Sequence, residues 1–391
     1  MSPGEQQRQL EGLLRHYRDC WHPQPFRELR PDWCHAYPAL TADLLALDQS
    51  GLEALSADND AALAWLTPYL PELGELRSLI RLAQAPAAPV SAAGERWAWE
   101  IPGRKRAQIE AFAASARCCG QPVVDWCGGK GHLGRLLAGQ WGQTVHTLEI
   151  DAVLCAAGER LASRQAAGQH FVVADALATT AWPQPGQHAV ALHACGDLHR
   201  RLLQRGVVQG VRRFDVAPCC YHRGVGDFYQ PLSSGSGLTL TRDDVRLAVT
   251  ETVTASPRLA RRRDREMAWK LGFDAYRHAL SAAAYQNFKP VPSAWFAGDF
   301  SGFLQRMAVR EGLAVPVGAD CAQWELAGWQ RHREVMRLSL PRQAFRRALE
   351  IWLVLDLAVY LEQQGYAVNL QSFCDQRLTP RNLLISAERA D

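Results

Sequence analysis

The spacing of apolar residues changes along the chain. Up to about residue 82, Leu, Ala and Trp recur at helical intervals, as in ALAWLTPYLPELGELRSLIRLA, and this period predicts helices. Residues 83–95 are rich in Ala, Pro and Gly and have no period, which is typical of a linker. We therefore expect an N-terminal helical region with its linker over residues 1–95.

From residue 96 short apolar runs alternate with helical stretches. The runs PVVDWC, VHTLEID, HFVVADA, AVALHAC and FDVAPCC predict five strands, and strands that alternate with helices predict βαβ units in a mostly parallel sheet. A predicted helix over about 343–364 precedes AVNLQSF and NLLISAE, which fit a closing antiparallel pair. We expect an α/β domain over 96–391 with an insertion at about 223–340.

The composition is that of a folded globular protein. Of the 391 residues, 48% are apolar and 21% are charged, which excludes disordered, collagen-like and disulfide-scaffold classes. The net charge of +3 is small, so any nucleic-acid-binding patch must be local. The most apolar stretch, Ala348 to Leu361, contains Glu350 and Asp356 and predicts a buried helix rather than a membrane span.

The eleven cysteines indicate the compartment. Their number is odd, which argues against a complete set of disulfide bonds. The first thirty residues contain no apolar segment behind a basic start, so we predict no secretory signal. Reduced thiols in a cytoplasmic protein are the expectation.

The most specific local signal is VVDWCGGKGHLGRLL, Val123 to Leu137. A strand is predicted to end at Asp125, a turn follows, and a helix begins near His132. Glycines let a backbone reach positive φ and approach a ligand, and a helix N-terminus offers unpaired N–H groups. The pattern predicts a nucleotide-like ligand, with a purely structural turn as the alternative.

Acidic residues follow the next two predicted strands. Glu149 ends the second strand, where a carboxylate can accept hydrogen bonds from a ribose diol. Asp175 ends the third, where it could accept from an adenine amine. With Asp125 they lie at one sheet edge, although each could also be a solvated strand end or a helix cap. Since the turn lacks the full G-x-G-x-x-G pattern and no Walker Lys-Ser/Thr pair follows, S-adenosylmethionine fits best.

Four segments carry a family resemblance. DWCGGKGHLGR resembles the first motif of class I S-adenosylmethionine-dependent methyltransferases, with Cys127 where their first glycine usually stands. VALHACGDL, VAPCCYH and LTPRNLLI are similar to the methyltransferase-like group that includes the ribosomal RNA adenine dimethylase domain-containing protein. Similar HACG and CCY segments occur in the glutathione S-transferase C-terminal-domain-containing protein, and eukaryotic tRNA ribose methyltransferases are more distantly alike. The resemblance covers roughly residues 100–222 and 340–391.

The resemblance implies a Rossmann-like sheet of seven strands with an antiparallel last hairpin. It also implies that S-adenosylmethionine is bound by the residues that match the family's donor site. The predicted donor-site residues are Asp125, Cys127, Gly129, Gly131, Glu149 and Asp175.

In such a fold the methyl acceptor enters above the end of the fourth strand, here His193 to Asp197. Methyl transfer requires the enzyme to position the acceptor and, where needed, to remove its proton. His193 is a candidate for that base, or for holding the donor's methionine part, or it is a hydrogen-bonded core histidine. Cys195 and Asp197 are further candidates for the catalytic set, and Asp197 could equally be a helix N-cap.

Cys219, Cys220, Tyr221 and His222 end the fifth strand. A Pro-Cys pair is similar to that of RNA cytosine-5 methyltransferases, which however place it after the fourth strand, so covalent catalysis is disfavoured. Cys220 and Tyr221 remain candidate catalytic residues.

We also weighed a metal site. The residues considered were His193, Cys195, Cys219, Cys220 and His222. No C-x-x-C pair exists and adjacent cysteines chelate one ion awkwardly, so no metal is predicted. Cys20, His22, Cys34 and His35 likewise match no zinc-finger spacing.

Arginines of the insertion and beyond it suggest a substrate. Their forked side chains suit phosphate, and nearby aromatic rings could stack on bases, so RNA is the expected substrate, with a solvated, ion-paired surface as the alternative. The arginines are Arg258, Arg261, Arg262, Arg263, Arg265, Arg331, Arg333, Arg337, Arg342, Arg346 and Arg347, and the aromatic residues are Tyr276, Tyr285, Trp295 and Phe296.

We therefore predict an S-adenosylmethionine-dependent methyltransferase that acts on RNA. A protein or small-molecule acceptor, or a non-catalytic protein with a degenerate donor pocket, remain the alternatives. The sequence leaves the oligomeric state open.

Overall fold

The protein is described by a computed structural model. The described residues are 1–90, 97–98, 100–165, 168–250, 257–281, 285–315 and 320–390. Residues 91–95 of the predicted linker lie outside them.

The contacts divide the chain into two compact units. The first unit contains Met1–Arg15, Ser78–Val253 and Arg346–Asp391, and the second contains His16–Arg77 and Thr254–Phe345. The division at about residue 95, inferred from the sequence, remains a prediction.

The strands form one seven-stranded sheet in the first unit. In chain order they are β1 Val123–Trp126, β2 Val145–Glu149, β3 Gln169–Val173, β4 His188–Cys195, β5 Arg213–Cys219, β6 Tyr366–Ser372 and β7 Leu383–Arg389. Their order in the sheet is β3-β2-β1-β4-β5-β7-β6. The neighbours among β1 to β5 are parallel, whereas β7 is antiparallel to β5 and to β6. The predicted Rossmann-like sheet with an antiparallel last hairpin is confirmed.

The helices are numbered along the chain. They are α1 Pro3–His16, α2 Arg18–Trp21, α3 Trp33–Ala36, α4 Pro38–Ala46, α5 Gln49–Ala57, α6 Asn59–Leu66, α7 Leu73–Leu79, α8 Gly103–Ser115, α9 His132–Trp141, α10 Ala152–Ser163, α11 Asp197–Gln209, α12 Arg242–Leu247, α13 Pro257–Ser281, α14 Phe300–Glu311, α15 Asp320–Leu338, α16 Leu340–Ala344 and α17 Arg346–Gln363. A 3₁₀ turn covers Ser293–Phe296.

The core of the first unit lies against both faces of the sheet. The strand β5 is buried along its whole length, as expected for a central strand covered by helices on both sides. One cluster joins Phe112 of α8 and Leu137 of α9 to Val123 and Val145 of the first two strands. Burial of this apolar surface supplies the main driving force for the fold.

Helix α17 is buried along almost all of its length, including its carboxylates Glu350 and Asp356. Asp356 accepts hydrogen bonds from the Tyr229 hydroxyl at 2.7 Å, from Leu232 N at 3.0 Å, and from Ser233 N and Oγ at 2.8 and 2.7 Å. These donors replace the water that the buried charge has lost. In the described part of the chain no helix is both long and apolar enough to cross a bilayer.

The second unit is helical, and α13 and α15 approach closely within it. A Cβ atom on Gly328 would lie 2.3 Å from the carbonyl oxygen of Ala268, so only glycine permits this distance. An aromatic core containing Trp269, Phe273 and Phe303 packs beside the crossing. The insertion of the sequence thus contributes an extended core of its own.

Candidate active site

The turn after β1 is held by a buried carboxylate. Helix α9 has Gly131 at its N-cap, at φ 64°, and glycine has no side chain to cap the helix. Asp125 supplies the missing acceptor from β1, because its Oδ2 receives hydrogen bonds from Gly134 N at 3.1 Å and from Thr147 Oγ1 at 3.4 Å. One carboxylate therefore connects β1, β2 and the start of α9.

Polar side chains pack directly against the backbone of two glycines of this turn. A Cβ on Gly128 would lie 2.4 Å from Asp125 Oδ2, and one on Gly131 would lie 2.2 Å from Gln169 Nε2. Gln169 donates to Gly131 O and to Thr147 Oγ1, both at 2.8 Å. Sequence reasoning missed Thr147 and Gln169, although each is a polar residue within a strand and could have been noticed there.

The other two predicted acids differ in position. Glu149 ends β2, and its Oε2 accepts from Gly129 N at 3.0 Å while its Oε1 accepts from Ile150 N at 2.9 Å. Asp175 was predicted to end the third strand, which is wrong, because β3 ends at Val173. Asp175 lies two residues further on, is exposed, and accepts from Leu177 N at 2.8 Å.

Three strand ends share an unusual backbone conformation. Within the described residues, the non-glycine residues with positive φ are Cys127 at 58°, His193 at 73° and Cys220 at 45°. Cys127 follows β1, His193 lies within β4, and Cys220 follows β5. Such conformations cost about 1–3 kcal/mol each and cluster at functional sites. The positive φ of Cys127 also explains why the resembling family usually has glycine at this position, because glycine adopts such a conformation without strain.

His193 is held in one orientation by α8. Its Nε2 lies 3.0 Å from Gln108 Oε1, and Gln108 Nε2 donates to Leu378 O at 3.2 Å. Because the amide nitrogen of Gln108 is thus assigned, its oxygen must accept, which leaves Nδ1 of a neutral His193 as an acceptor. The ring keeps an exposed edge, while surrounding protein and the charge of Lys105 lower its pKa.

Cys195, Cys219 and Cys220 meet between β4 and β5. The Sγ atoms of Cys195 and Cys219 are 3.3 Å apart, and all three sulfurs lie within 4.8 Å of one another. Hydrogen bonds from the other two thiols lower the pKa of Cys220. The same neighbours raise the pKa of Cys219.

Two other predicted roles need correction. Asp197 was weighed as an N-cap, but Gly196 occupies that position and Asp197 is the first residue of α11. Tyr221 is buried, with its hydroxyl 3.2 Å from Pro218 O and 3.4 Å from Glu350 Oε1. The Tyr221 hydroxyl is therefore occupied within the protein and is not presented to a methyl acceptor.

The LTPRNLLI segment forms ion pairs and hydrogen bonds with α17. Arg381 of this segment lies 2.7 Å from Glu350 Oε1, and Arg347 lies 2.7 Å from Glu350 Oε2. Asn382 accepts from Arg347 Nη2 at 2.9 Å and donates to Cys374 O at 2.7 Å. The motif thus anchors β7 to α17 near Tyr221.

Comparison with known proteins gives a family match for part of the chain. Residues 104–224 match a family model described as a methyltransferase domain. The match covers less than a third of the chain, and it includes the glycine turn and both candidate strand ends. A comparison with curated proteins finds no match.

Solved methyltransferase structures are similar at low identity. A TehB-like S-adenosylmethionine-dependent methyltransferase from Corynebacterium glutamicum is 17% identical with a TM-score of 0.23, over 28% of this chain and 60% of that one. An rRNA methylase from Streptococcus thermophilus is 12% identical with a TM-score of 0.24, over 36% and 94%. Magnesium protoporphyrin IX methyltransferase from Synechocystis PCC 6803, with bound S-adenosylhomocysteine, is 11% identical with a TM-score of 0.32, over 77% and 95%. The chain spans less than two thirds of the length of the TehB-like enzyme.

The pH dependence of the unfolding free energy, compared between the wild type and Asp125→Asn, tests whether burial raises the pKa of the Asp125 carboxyl. Burial raises the pKa of Asp125 to about 6 from 3.8, so the folded state binds more protons than the unfolded state between these values. The unfolding free energy of the wild type must then fall as pH rises through that window. Relative to the variant the fall should be about 3 kcal/mol, at ~1.4 kcal/mol per pKa unit. Urea denaturation of both proteins from pH 4 to 7 measures it, and a constant difference across the window would contradict the assignment.

Substitutions at Cys127 test the positive φ. Cys127→Gly should raise the unfolding free energy by up to about 1 kcal/mol, because glycine adopts this conformation without strain. Cys127→Val should lower it by at least about 1 kcal/mol, because a β-branched residue resists positive φ. Urea denaturation gives both values. Equal stability of the two variants would show that the turn does not need this conformation.

Proposed function

We propose that the protein is an S-adenosylmethionine-dependent methyltransferase whose donor lies on the turn between β1 and α9. The proposal rests on this glycine turn, which lies within the residues that match a methyltransferase domain. Asp125 and Glu149 accept hydrogen bonds from backbone N–H groups of the turn and the following helix, and the space beside Gly129 is open. A glycine backbone beside a helix N-terminus allows close approach of a small polar ligand.

The side chains around the turn suit the parts of the donor. Glu149 Oε1 accepts hydrogen bonds from Ile150 N at 2.9 Å and from Asp151 N at 3.1 Å, which uses both of its lone pairs. Its Oε2 accepts from Gly129 N at 3.0 Å and has a second lone pair for a ribose hydroxyl. Asp175 is exposed two residues beyond the end of β3 and has acceptor capacity for an adenine amine. A Cβ on Gly129 would meet nothing within 4 Å, so this glycine leaves room for the methionine portion, whereas Gly131 packs against Gln169. In this arrangement Asp125 shapes the turn and does not itself contact the donor.

The acceptor is proposed to bind at the ends of β4 and β5. The bound donor supplies a methyl group on a sulfonium, and the acceptor's lone pair forms the new bond as the carbon–sulfur bond breaks. The chain's part is to hold the acceptor in line. His193 offers Nδ1 as the hydrogen-bond acceptor for the group to be methylated, with Gln108 fixing its ring. Cys195 and Cys220 line the same strand ends, and Asp197 begins the helix that follows.

An RNA acceptor is supported by a basic cavity in the second unit. The cavity has a volume of about 1020 Å³, and Phe296 and Trp329 contribute aromatic rings to its wall. Arginine forks with aromatic faces suit phosphates and stacked bases. The arginines in its lining are Arg258, Arg261, Arg262, Arg265 and Arg333.

Other arginines of the predicted set are used within the protein. Arg331 donates to Pro25 O at 2.6 Å, and Arg337 donates to Leu47 O at 2.8 Å. Arg342 donates to His22 O at 2.6 Å. These side chains tie helices of the second unit together, so the proposed RNA contacts are limited to the cavity arginines.

The thiols favour a reducing compartment. All eleven cysteines lie in the described part of the chain, and every one is a free thiol there. Proteins of oxidising compartments usually pair their cysteines. These free thiols support our proposal of a cytoplasmic location.

Calorimetric titration with S-adenosylmethionine tests the donor site. Glu149→Ala should abolish measurable binding, because it removes both the ribose acceptor and the hydrogen bond to Gly129 N. Glu159→Ala on the exposed side of α10 is the matched control and should bind like the wild type. Loss of binding in both variants, or in neither, would reject the site.

A labelled-methyl assay separates the possible acceptors. Transfer from radioactive donor into total RNA supports the proposal, whereas label only in protein or small molecules would overturn the RNA assignment. Tight donor binding with no transfer to any fraction would favour a non-catalytic protein.

Two neighbouring arginines of α13 test the RNA cavity. Arg261 lines it and Arg263 does not, although both are exposed. Arg261→Ala should weaken binding of a fluorescent RNA several-fold and reduce the slope of log Kd against log salt concentration by about 1, as expected for one lost phosphate contact. Fluorescence anisotropy measures both. Equal effects of Arg261→Ala and Arg263→Ala would indicate a diffuse charge effect and no specific cavity.

A further inference from the structure

The three thiols at the ends of β4 and β5 form a cluster without an assigned role. Cys195, Cys219 and Cys220 bring their Sγ atoms within 4.8 Å of one another. Among the His, Cys, Asp and Glu side chains of the described residues, no other set of three places its ligating atoms this close. Of the three, Cys219 is buried and the other two are partly exposed.

The backbone explains how adjacent cysteines meet. Successive side chains of a strand point to opposite faces, so Cys219 and Cys220 would diverge if β5 continued. Instead β5 ends at Cys219, and Cys220 takes the left-handed conformation at φ 45°. This turn removes the objection that neighbouring cysteines cannot converge on one point.

The segments that follow β4 and β5 are fixed to each other by backbone hydrogen bonds. Gly196 N donates to Cys219 O at 3.0 Å, and Asp197 N donates to Arg223 O at 3.1 Å. Arg223 N in turn donates to Cys220 O at 2.9 Å. A Cβ on Gly196 would lie 2.1 Å from Arg223 O, so the approach requires glycine. The cluster is therefore built on a rigid backbone.

We propose that Cys195, Cys219 and Cys220 bind a zinc ion through three thiolates. Thiolate sulfur selects soft or borderline metals, and Zn–S bonds of about 2.3 Å in a tetrahedral site place the sulfurs about 3.8 Å apart. The Sγ atoms of Cys195 and Cys219 are 3.3 Å apart and all three sulfurs lie within 4.8 Å of one another, so the observed separations are of the size that one zinc ion requires. Three protein ligands leave a fourth position open, as in catalytic zinc sites. The metal would lie at the strand ends where we propose that the acceptor binds.

This proposal replaces the expectation, drawn from the sequence, that no metal is bound. Zinc binding does not depend on methyl transfer or on donor binding. The two are measured separately, so failure of one leaves the other intact.

The test is a cobalt titration of the full chain, purified with reduced thiols and stripped of metal by a chelator. One equivalent of Co²⁺ should produce near-ultraviolet thiolate-to-cobalt charge-transfer absorption, which Zn²⁺ should displace. Cys219→Ser and Cys220→Ser should each weaken binding by at least about 100-fold, beyond the roughly 10–100-fold that a lost outer-shell partner costs. Cys374→Ser removes a buried thiol outside the cluster and should bind like the wild type.

A second measurement needs no substitution. In the wild type, Zn²⁺ should slow iodoacetamide alkylation of Cys195 and Cys220, measured by mass spectrometry, and leave the exposed Cys118 unaffected. Folded wild type that shows no charge-transfer band and no protection would overturn the proposal. So would a Cys195–Cys219 disulfide that persists under the reducing conditions and excludes metal.

Discussion

The donor side of the first unit depends on one buried carboxylate. Asp125 is fully enclosed, yet it accepts hydrogen bonds from the start of α9 and from a hydroxyl of β2. Without that acceptor a glycine N-cap would leave buried N–H groups unpaired, at a cost of about 1–3 kcal/mol each. The raised pKa of Asp125 is the electrostatic cost of placing a charge there. The turn geometry, and with it the proposed donor site, follows from this single side chain.

The second constraint is the backbone at three strand ends. Cys127, His193 and Cys220 have the positive φ that most side chains avoid. All three residues lie at the carboxyl edge of the sheet, where open α/β sheets bind ligands, and at His193 the conformation coincides with a register shift between Leu192 and Cys195 in the pairing of β4 with β5. The surrounding contacts, such as Gln108 on His193 and the paired loops after β4 and β5, hold these conformations in place. Strain is thus concentrated where the proposed donor, acceptor and metal would meet.

The second unit divides its arginines between two tasks. Arg331, Arg337 and Arg342 donate to carbonyl groups in the loops between the unit's own N-terminal helices. The arginines of α13 instead project along a cavity with aromatic walls. The hydrogen bonds of the first group contribute to folding. In the second group Arg262 forms an ion pair with Glu266 at 2.8 Å, and the other cavity arginines are the proposed phosphate contacts.

Local patterns of the sequence were sufficient for the sheet, the closing hairpin and the glycine turn. Short apolar runs, helical spacing and glycine at a strand end each depend on neighbouring residues alone. The same patterns could not show that Gly196 caps α11 in place of Asp197, or that Tyr221 is buried against Glu350, 129 residues away. Nor could they show which arginines form hydrogen bonds within the protein, since Arg331 donates to the carbonyl of Pro25, which is 306 positions away in the sequence. The convergence of Cys195 with Cys219 and Cys220 belongs to this second kind: it requires the pairing of β4 with β5 and a left-handed residue at the end of β5, and only the folded chain brings these together.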